Sequence, residues 1–186
     1  MKLVTVAQMR ELDRRTMEEA NIPGEELMDR AGWGVADHVR RMAEIAGFHY
    51  PSVLIIAGRG NNGGDGFACA RHLKDMGTTV EVWLAGAAGG IRGDALKHLS
   101  RMKTAGIKLR EIKTMEEWED ERHYGHGANI VVDAVLGVGS SGPARGPAAG
   151  AIQFINARLQ EALVISVDVP SGLDADTGVP EGDVVC

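Results

Sequence analysis

Between the apolar run Val53-Leu54-Ile55-Ile56-Ala57 and a helical pattern that starts at Phe67, the chain reads Gly58-Arg59-Gly60-Asn61-Asn62-Gly63-Gly64-Asp65-Gly66. Five glycines in nine residues do not serve to fill a core, because glycine loses more backbone freedom on ordering than any other residue. They belong where the main chain turns tightly and comes close to a ligand. Gly58-x-Gly60-x-x-Gly63 after a strand and before a helix has the form of a dinucleotide fingerprint. Two features argue against an ordinary nicotinamide dehydrogenase. That fold calls for an acidic residue about 20 positions on, at the tip of the next strand, to hold the ribose. Here the next strand ends Val82-Trp83-Leu84-Ala85-Gly86, without a carboxylate. The loop also carries Asn61, Asn62 and Asp65, polar side chains that a plain phosphate cradle does not require.

The rest of the chain places this loop in an α/β fold. Thr5-x-x-Gln8 reads as a capping box that opens a helix with Val6, Met9, Leu12, Met17 and Ala20 as its apolar positions. A second helix spans about Glu25 to Ala46, interrupted by Gly32 and Gly34, which read either as points of close approach or as tolerated surface glycines. Met9, Met17, Met28 and Met42 read as core filler. From Val53 onward strand and helix alternate. Strands are expected at 53–57, 79–84, 107–112, 130–132 and 163–167, with helices at 67–76, 94–105, 115–122 and 147–159, the last opening with Pro147 in its first turn. The strands are continuous apolar runs rather than alternating ones, which signals burial on both faces. The expected architecture is a doubly wound, mainly parallel sheet, a Rossmann-like three-layer sandwich, preceded by two N-terminal helices.

Composition narrows the function. A chain of 186 residues fits one domain. The net charge of -6 speaks against nucleic-acid binding, which usually shows a basic face. Two cysteines, Cys69 and Cys186, make no disulfide framework. No secretory segment opens the chain and no apolar run is long enough to span a bilayer, so a reducing, cytoplasmic setting without membrane or nucleic-acid partners is the expectation. His38, His49, His72, His98, His123 and His126 show no metal-ligand spacing, and His123 and His126 fall in an expected exposed loop.

In open parallel sheets ligands bind beyond the carboxyl ends of the strands, at a topological switch point. Three expected strand ends carry polar residues embedded in glycine: the loop at 58–66, Asp133-Ala134-Val135-Leu136-Gly137-Val138-Gly139-Ser140-Ser141-Gly142-Pro143, and Asp168-Val169-Pro170-Ser171-Gly172-Leu173-Asp174. The loop at 137–143 leads to a helix N-terminus and offers backbone amides to a phosphate or pyrophosphate. Asn62, Asp133 and Ser171 offer hard oxygens from three strand ends, a donor set for a weakly hydrated monovalent cation. Asp168 is a candidate general acid or base. Each has a plainer reading beside it. Asp65 fits an N-cap as well as a ligand contact, Asp133 an Asx-turn, Ser171-Gly172 a simple turn, and Arg59 and Arg145 solvated side chains. Cys69, inside a helical apolar pattern, reads as structural.

Gly60-Asn61-Asn62-Gly63-Gly64-Asp65-Gly66, Val132-Asp133-Ala134-Val135-Leu136-Gly137-Val138-Gly139 and Val167-Asp168-Val169-Pro170-Ser171-Gly172-Leu173-Asp174, together with Glu26-Leu27-Met28-x-x-Ala31-Gly32, give the chain a specific resemblance over nearly its whole length. It resembles the NAD(P)H-hydrate epimerase family, the YjeF N-terminal domain. The resemblance implies an isomerase of cofactor repair that interconverts the R and S epimers at C6 of hydrated NADH and NADPH. A companion dehydratase, separate or fused, would clear the S form. It implies a potassium ion held by Asn62, Asp133 and Ser171. It also implies substrate binding by Asn61, Asn62, Gly63, Gly64 and Asp65, by Gly137, Val138, Gly139, Ser140, Ser141, Gly142 and Pro143, and by Asp168, which is also the expected catalytic residue. Members usually continue past this point with another strand, so the chain reads as a single domain over 1–186 lacking its last C-terminal strand, with Asp183–Cys186 as a strand cut short. The N-terminal amphipathic helices offer a homodimer face as readily as a cover for the sheet. Non-catalytic members of the domain type, which serve dimerisation and ligand or RNA binding, are the alternative. Retention of Asn62, Asp65, Asp133, Asp168 and Ser171 favours the enzyme.

Overall fold

The computed structural model describes residues 4–124, 127–157 and 161–186. Two helices, α1 (Val6–Glu19) and α2 (Gly24–Ile45), precede an alternation of β1 (Ser52–Ala57), α3 (Asn61–Asp75), β2 (Thr79–Ala85), α4 (Gly93–Thr104), β3 (Leu109–Ile112), α5 (Met115–Tyr124), β4 (Ile130–Ala134), α6 (Pro147–Asn156) and β5 (Leu163–Ser166). All pairings are parallel and the sheet order is β3-β2-β1-β4-β5. The doubly wound α/β expectation holds, and the order reverses between β1 and β4, which fixes the switch point.

Burial on both faces explains why the strands lack alternation. Ile55, Val82 and Val132 face one layer with Phe67, Leu73 and Val39 of the helices α2–α4. Leu54, Ile56 and Val131 face the other with α5 and α6. On that second face Trp83, Trp118 and Phe154 meet as three tilted rings with centroids 5.3–6.0 Å apart, a geometry aromatic pairs favour. Cys69 is fully buried and free, as a structural cysteine should be, while Cys186 is exposed.

Several boundaries differ from the sequence reading, each for a packing reason. The Thr5–Gln8 capping box forms as expected, with Thr5 Oγ1 accepting the Gln8 N–H at 3.2 Å and Gln8 Oε1 accepting the Thr5 N–H at 2.9 Å. The apolar stripe behind it does not become core: Met9, Leu12 and Met17 are 41–48% exposed and α1 buries no residue. In the single chain that stripe stays uncovered by the sheet. Of the four methionines read as core filler, only Met28 is buried. Gly32 and Gly34 of α2 part ways. A Cβ at Gly32 would lie 2.4 Å from Ala68 Cβ, so this glycine lets α2 cross α3 closely, whereas Gly34 faces open space. Helix α5 runs on through His123, and His126 and Leu159 lie outside the described residues. No strand forms over 183–186. Instead the Val185 N–H donates to the Ser171 carbonyl at 2.9 Å, and the Val185 side chain is buried. Among the described residues no helix is long and apolar enough to cross a membrane.

Candidate active site

The main correction lies at the glycine loop itself. Helix α3 begins at Asn61, not Phe67, with Gly60 as its N-cap in extended backbone. The glycines are there for contact. A Cβ at Gly63 would sit 1.9 Å from the Gly58 carbonyl oxygen, and one at Gly64 2.5 Å from Met28 Sδ. The first turn is therefore pressed against β1 and α2, and its unpaired N–H groups face the carboxyl edge of the sheet. Asp65 accordingly stands inside the helix rather than at its N-cap.

Beyond the ends of the strands lies a cleft of about 840 Å³. Asn61, Asn62 and Asp65 of α3, residues 137–140 after β4 and Asp168 after β5 all line it. The other residues read as binding are set apart. Gly63 and Gly64 lie on the sides of α3 packed against Gly58 and Met28. Ser141, Gly142 and Pro143 fall outside the lining; the Gly142 N–H donates to Glu181 Oε2 at 2.7 Å, closing the far side of their loop.

Asp133 and Ser171 lie beneath the cleft floor, both fully buried. Asp133, the last residue but one of β4, gathers donors from two later segments. Its Oδ1 accepts the Ser171 hydroxyl at 2.5 Å, and its Oδ2 accepts the Ser171 N–H at 2.9 Å and the Ser166 hydroxyl at 3.0 Å. Ser171 Oγ accepts the Leu136 N–H at 2.9 Å, and Asn62 Nδ2 donates to the Leu136 carbonyl at 2.9 Å. Asn62 Oδ1 is buried with no hydrogen-bond partner. A buried amide oxygen without a donor is costly, and the Asn62 amide is linked through Leu136 to the Ser171 hydroxyl and the Asp133 carboxylate. Burial pushes the Asp133 carboxyl up, against the pull of its hydrogen bonds. A large, weakly hydrated monocation fits this donor set, since it would satisfy Asn62 Oδ1 and offset the carboxylate charge. Among the described residues no three His, Cys, Asp or Glu side chains gather as a metal site.

At the β5 end of the cleft the charge is negative. Asp65 is pushed up from 3.8 to about 7, first by burial and then by the negative charges of Asp168 and Asp13. Asp168 Oδ2 accepts the Val138 N–H at 2.8 Å, which ties the β5 tip to the β4 loop. Gly137 makes that junction possible, since a Cβ there would lie 2.8 Å from Asp168 Oδ2 and 3.2 Å from the Asn62 side chain.

Sequence reasoning missed the contribution of α1. Arg10 and Asp13 line the cleft, and α1 is anchored by the Val6 N–H donating to Asp176 Oδ1 at 2.8 Å. No local pattern marks a contact between residues 170 positions apart. Arg59 and Arg145, read as solvated, are exposed yet border the cleft, as does Lys113 at the tip of β3.

Over most of its length the chain is similar to known proteins. The family described as YjeF-related protein N-terminus matches residues 24–186. The NAD(P)H-hydrate epimerase of Rhodopirellula baltica is 37% identical over 175 residues, which cover 94% of this chain and 67% of that protein. The NAD(P)H-hydrate epimerase of Elusimicrobium minutum is 33% identical over 185 residues, 99% of this chain and 81% of its own. The bifunctional NAD(P)H-hydrate repair enzyme Nnr of Moorella thermoacetica is 39% identical over 180 residues, 96% of this chain but 33% of its own, so the chain spans a third of that relative's length. Among solved structures, the yeast protein YNL200c superposes with a TM-score of 0.80 at 27% identity, over 94% of this chain and 72% of that one.

Proposed function

Since the chain belongs to the YjeF-related N-terminal family, we propose that it is an NAD(P)H-hydrate epimerase, interconverting the R and S forms at C6 of hydrated NADH and NADPH. The observation that carries the reading is a pair of carboxylates from separate elements on one cleft, Asp65 and Asp168, of which Asp65 keeps its proton up to about pH 7. An acid poised near the working pH is what a reversible loss of hydroxyl requires.

Asp65 gives its proton to the departing C6 hydroxyl while the lone pair of the ring nitrogen forms the N1=C6 double bond. The products are water and a planar iminium species. Water then adds to C6 from the opposite face and gives up a proton to Asp168. The pair holds one proton before and after turnover, now on the other carboxyl, and the reverse reaction exchanges the roles. Asn61 and the residues 137–140 hold the rest of the substrate, with Arg145 and the N-terminus of α6 toward the pyrophosphate. Asn62, Asp133 and Ser171 would hold a potassium ion. Bound there, it would compensate the charge of the buried Asp133. Because spontaneous hydration yields both epimers and the reaction only equalises them, a dehydratase specific for one epimer is the partner, separate or on the same polypeptide.

The test supplies purified R-hydrate of NADPH with excess S-specific dehydratase and follows the return of reduced cofactor, with and without the protein. Recovery faster than spontaneous epimerisation, and its loss in Asp168→Asn, is the expected result. No acceleration, or full activity in Asp168→Asn, overturns the reading.

A further inference from the structure

Among the described residues, each arginine whose side chain is described engages a carboxylate or a main-chain carbonyl, with three exceptions: Arg10, Arg59 and Arg145. All three line the cleft. Guanidinium groups left without an anion around one cavity point to an anionic ligand with more than one charged group. Their positions differ. Arg10 stands on α1 one turn from Asp13, at the carboxylate end. Arg145 precedes α6, beside the loop after β4. Arg59 alone reaches toward β2.

The strand order sets the distance between the two ends. β2 and β5 lie three strand spacings apart, on the order of 14 Å, a span that takes a ribose–pyrophosphate–ribose chain. With the reacting ring at Asp65 and Asp168, the adenosine lies over the tips of β1 and β2. In this class of fold an acidic residue at the β2 tip binds a free ribose 2′-hydroxyl, whereas an arginine nearby accommodates a 2′-phosphate. Here β2 ends Leu84-Ala85-Gly86, without a carboxylate, and Arg59 lies across that tip. A Cβ on Gly86 would be 3.2 Å from Arg59 Cδ, and one on Gly90 2.9 Å from its Nη1, so the absence of side chains at both positions leaves room for the guanidinium. Lys113 lines the same end. Its Nζ is 3.3 Å from Glu111 Oε2, an exposed pair that contributes little and yields easily to a phosphate.

Resting on the epimerase reading, we infer that Arg59, assisted by Lys113, binds the 2′-phosphate of the substrate's adenosine, so that hydrated NADPH is preferred over hydrated NADH. Two experiments separate this from the reading beneath it. Calorimetry with adenosine 2′,5′-bisphosphate and with AMP measures the phosphate preference without any turnover. The wild type should bind the bisphosphate more tightly, and Arg59→Ala should weaken it roughly 10- to 100-fold, the scale of a lost charge-assisted hydrogen bond, while leaving AMP unchanged. In the epimerase assay the same variant should raise KM for hydrated NADPH by a similar factor and leave the kinetics of hydrated NADH alone, with Arg59→Lys recovering part of the loss. Equal binding of the two nucleotides by the wild type, or equal weakening of both in Arg59→Ala, overturns the assignment. A wild type that discriminates the nucleotides but accelerates neither hydrate refutes the epimerase reading instead.

Discussion

Replacing Asp65 by asparagine removes a titration and leaves the shape of the site nearly unchanged. Burial and the charges of Asp168 and Asp13 move this carboxyl from 3.8 to about 7. At about 1.4 kcal/mol per pH decade, that is a ceiling on the order of 4 kcal/mol of native-state destabilisation once Asp65 is ionised. The sign follows from proton counts. Between pH 3.8 and 7 the unfolded chain has lost the proton and the folded one still holds it, so stability falls as pH rises and levels off above 7. Roughly 2.5 kcal/mol of this falls between pH 5 and 8. Urea unfolding of the wild type and Asp65→Asn at both values should therefore show the variant gaining about that much relative to the wild type on going to pH 8. The comparison cancels Asp133, which is also pushed up by burial and titrates in both proteins. The variant should at the same time lose about 100-fold or more in kcat, since its amide has no proton to give. A variant with the wild-type pH dependence of stability would refute the electrostatic account of Asp65, and one with wild-type kcat would remove it from the mechanism.

Potassium chloride should raise the melting temperature above that in choline chloride of equal ionic strength. Asn62→Ala should abolish the difference; a difference that survives this change would place the ion elsewhere. Two glycines make a second contrast by urea denaturation. Gly63→Ala drives a methyl to 1.9 Å from the Gly58 carbonyl oxygen and should cost about 3 kcal/mol or more. Gly34→Ala, with nothing within 4 Å, should gain up to about 1 kcal/mol from helix propensity. Similar outcomes for both would mean that close packing does not explain the glycine run.

What was legible in the chain was whatever has a local signature. Strands β1, β4 and β5 announce themselves as runs of Val, Ile and Leu, the capping box at Thr5 as a spacing, and the three loops as polar residues set in glycine. The start of α3 was not legible, because glycine-rich sequence looks like loop whether it turns in solvent or lies against another backbone. Only the partners of Gly63 and Gly64 decide between these, and those partners are Gly58, just past β1, and Met28 of α2. The same limit applies to Asp65, whose N-cap reading depended on that helix start. α1 failed for the opposite reason: its 3.6-residue periodicity is real, yet its apolar stripe stays largely exposed while Arg10 and Asp13 reach the cleft. Amphipathicity says that a face exists, not what meets it. Arg59 and Arg145 illustrate the point at single residues, since solvation and ligand readiness look alike until the other arginines are seen to be paired.

In the cluster beneath the cleft the Asn62 amide donates to the Leu136 carbonyl, 74 residues later in the chain, whereas β1 and β2 pair from Ser52 to Thr79 across a single crossover. Local pairings close early in folding and distant ones late. The cluster under the cleft is therefore among the last parts of the molecule to assemble and, by microscopic reversibility, among the first to open. A ligand that binds only the finished cluster slows escape from the native basin without hastening arrival there. For this chain, ionic surroundings would govern lifetime more than the speed of folding.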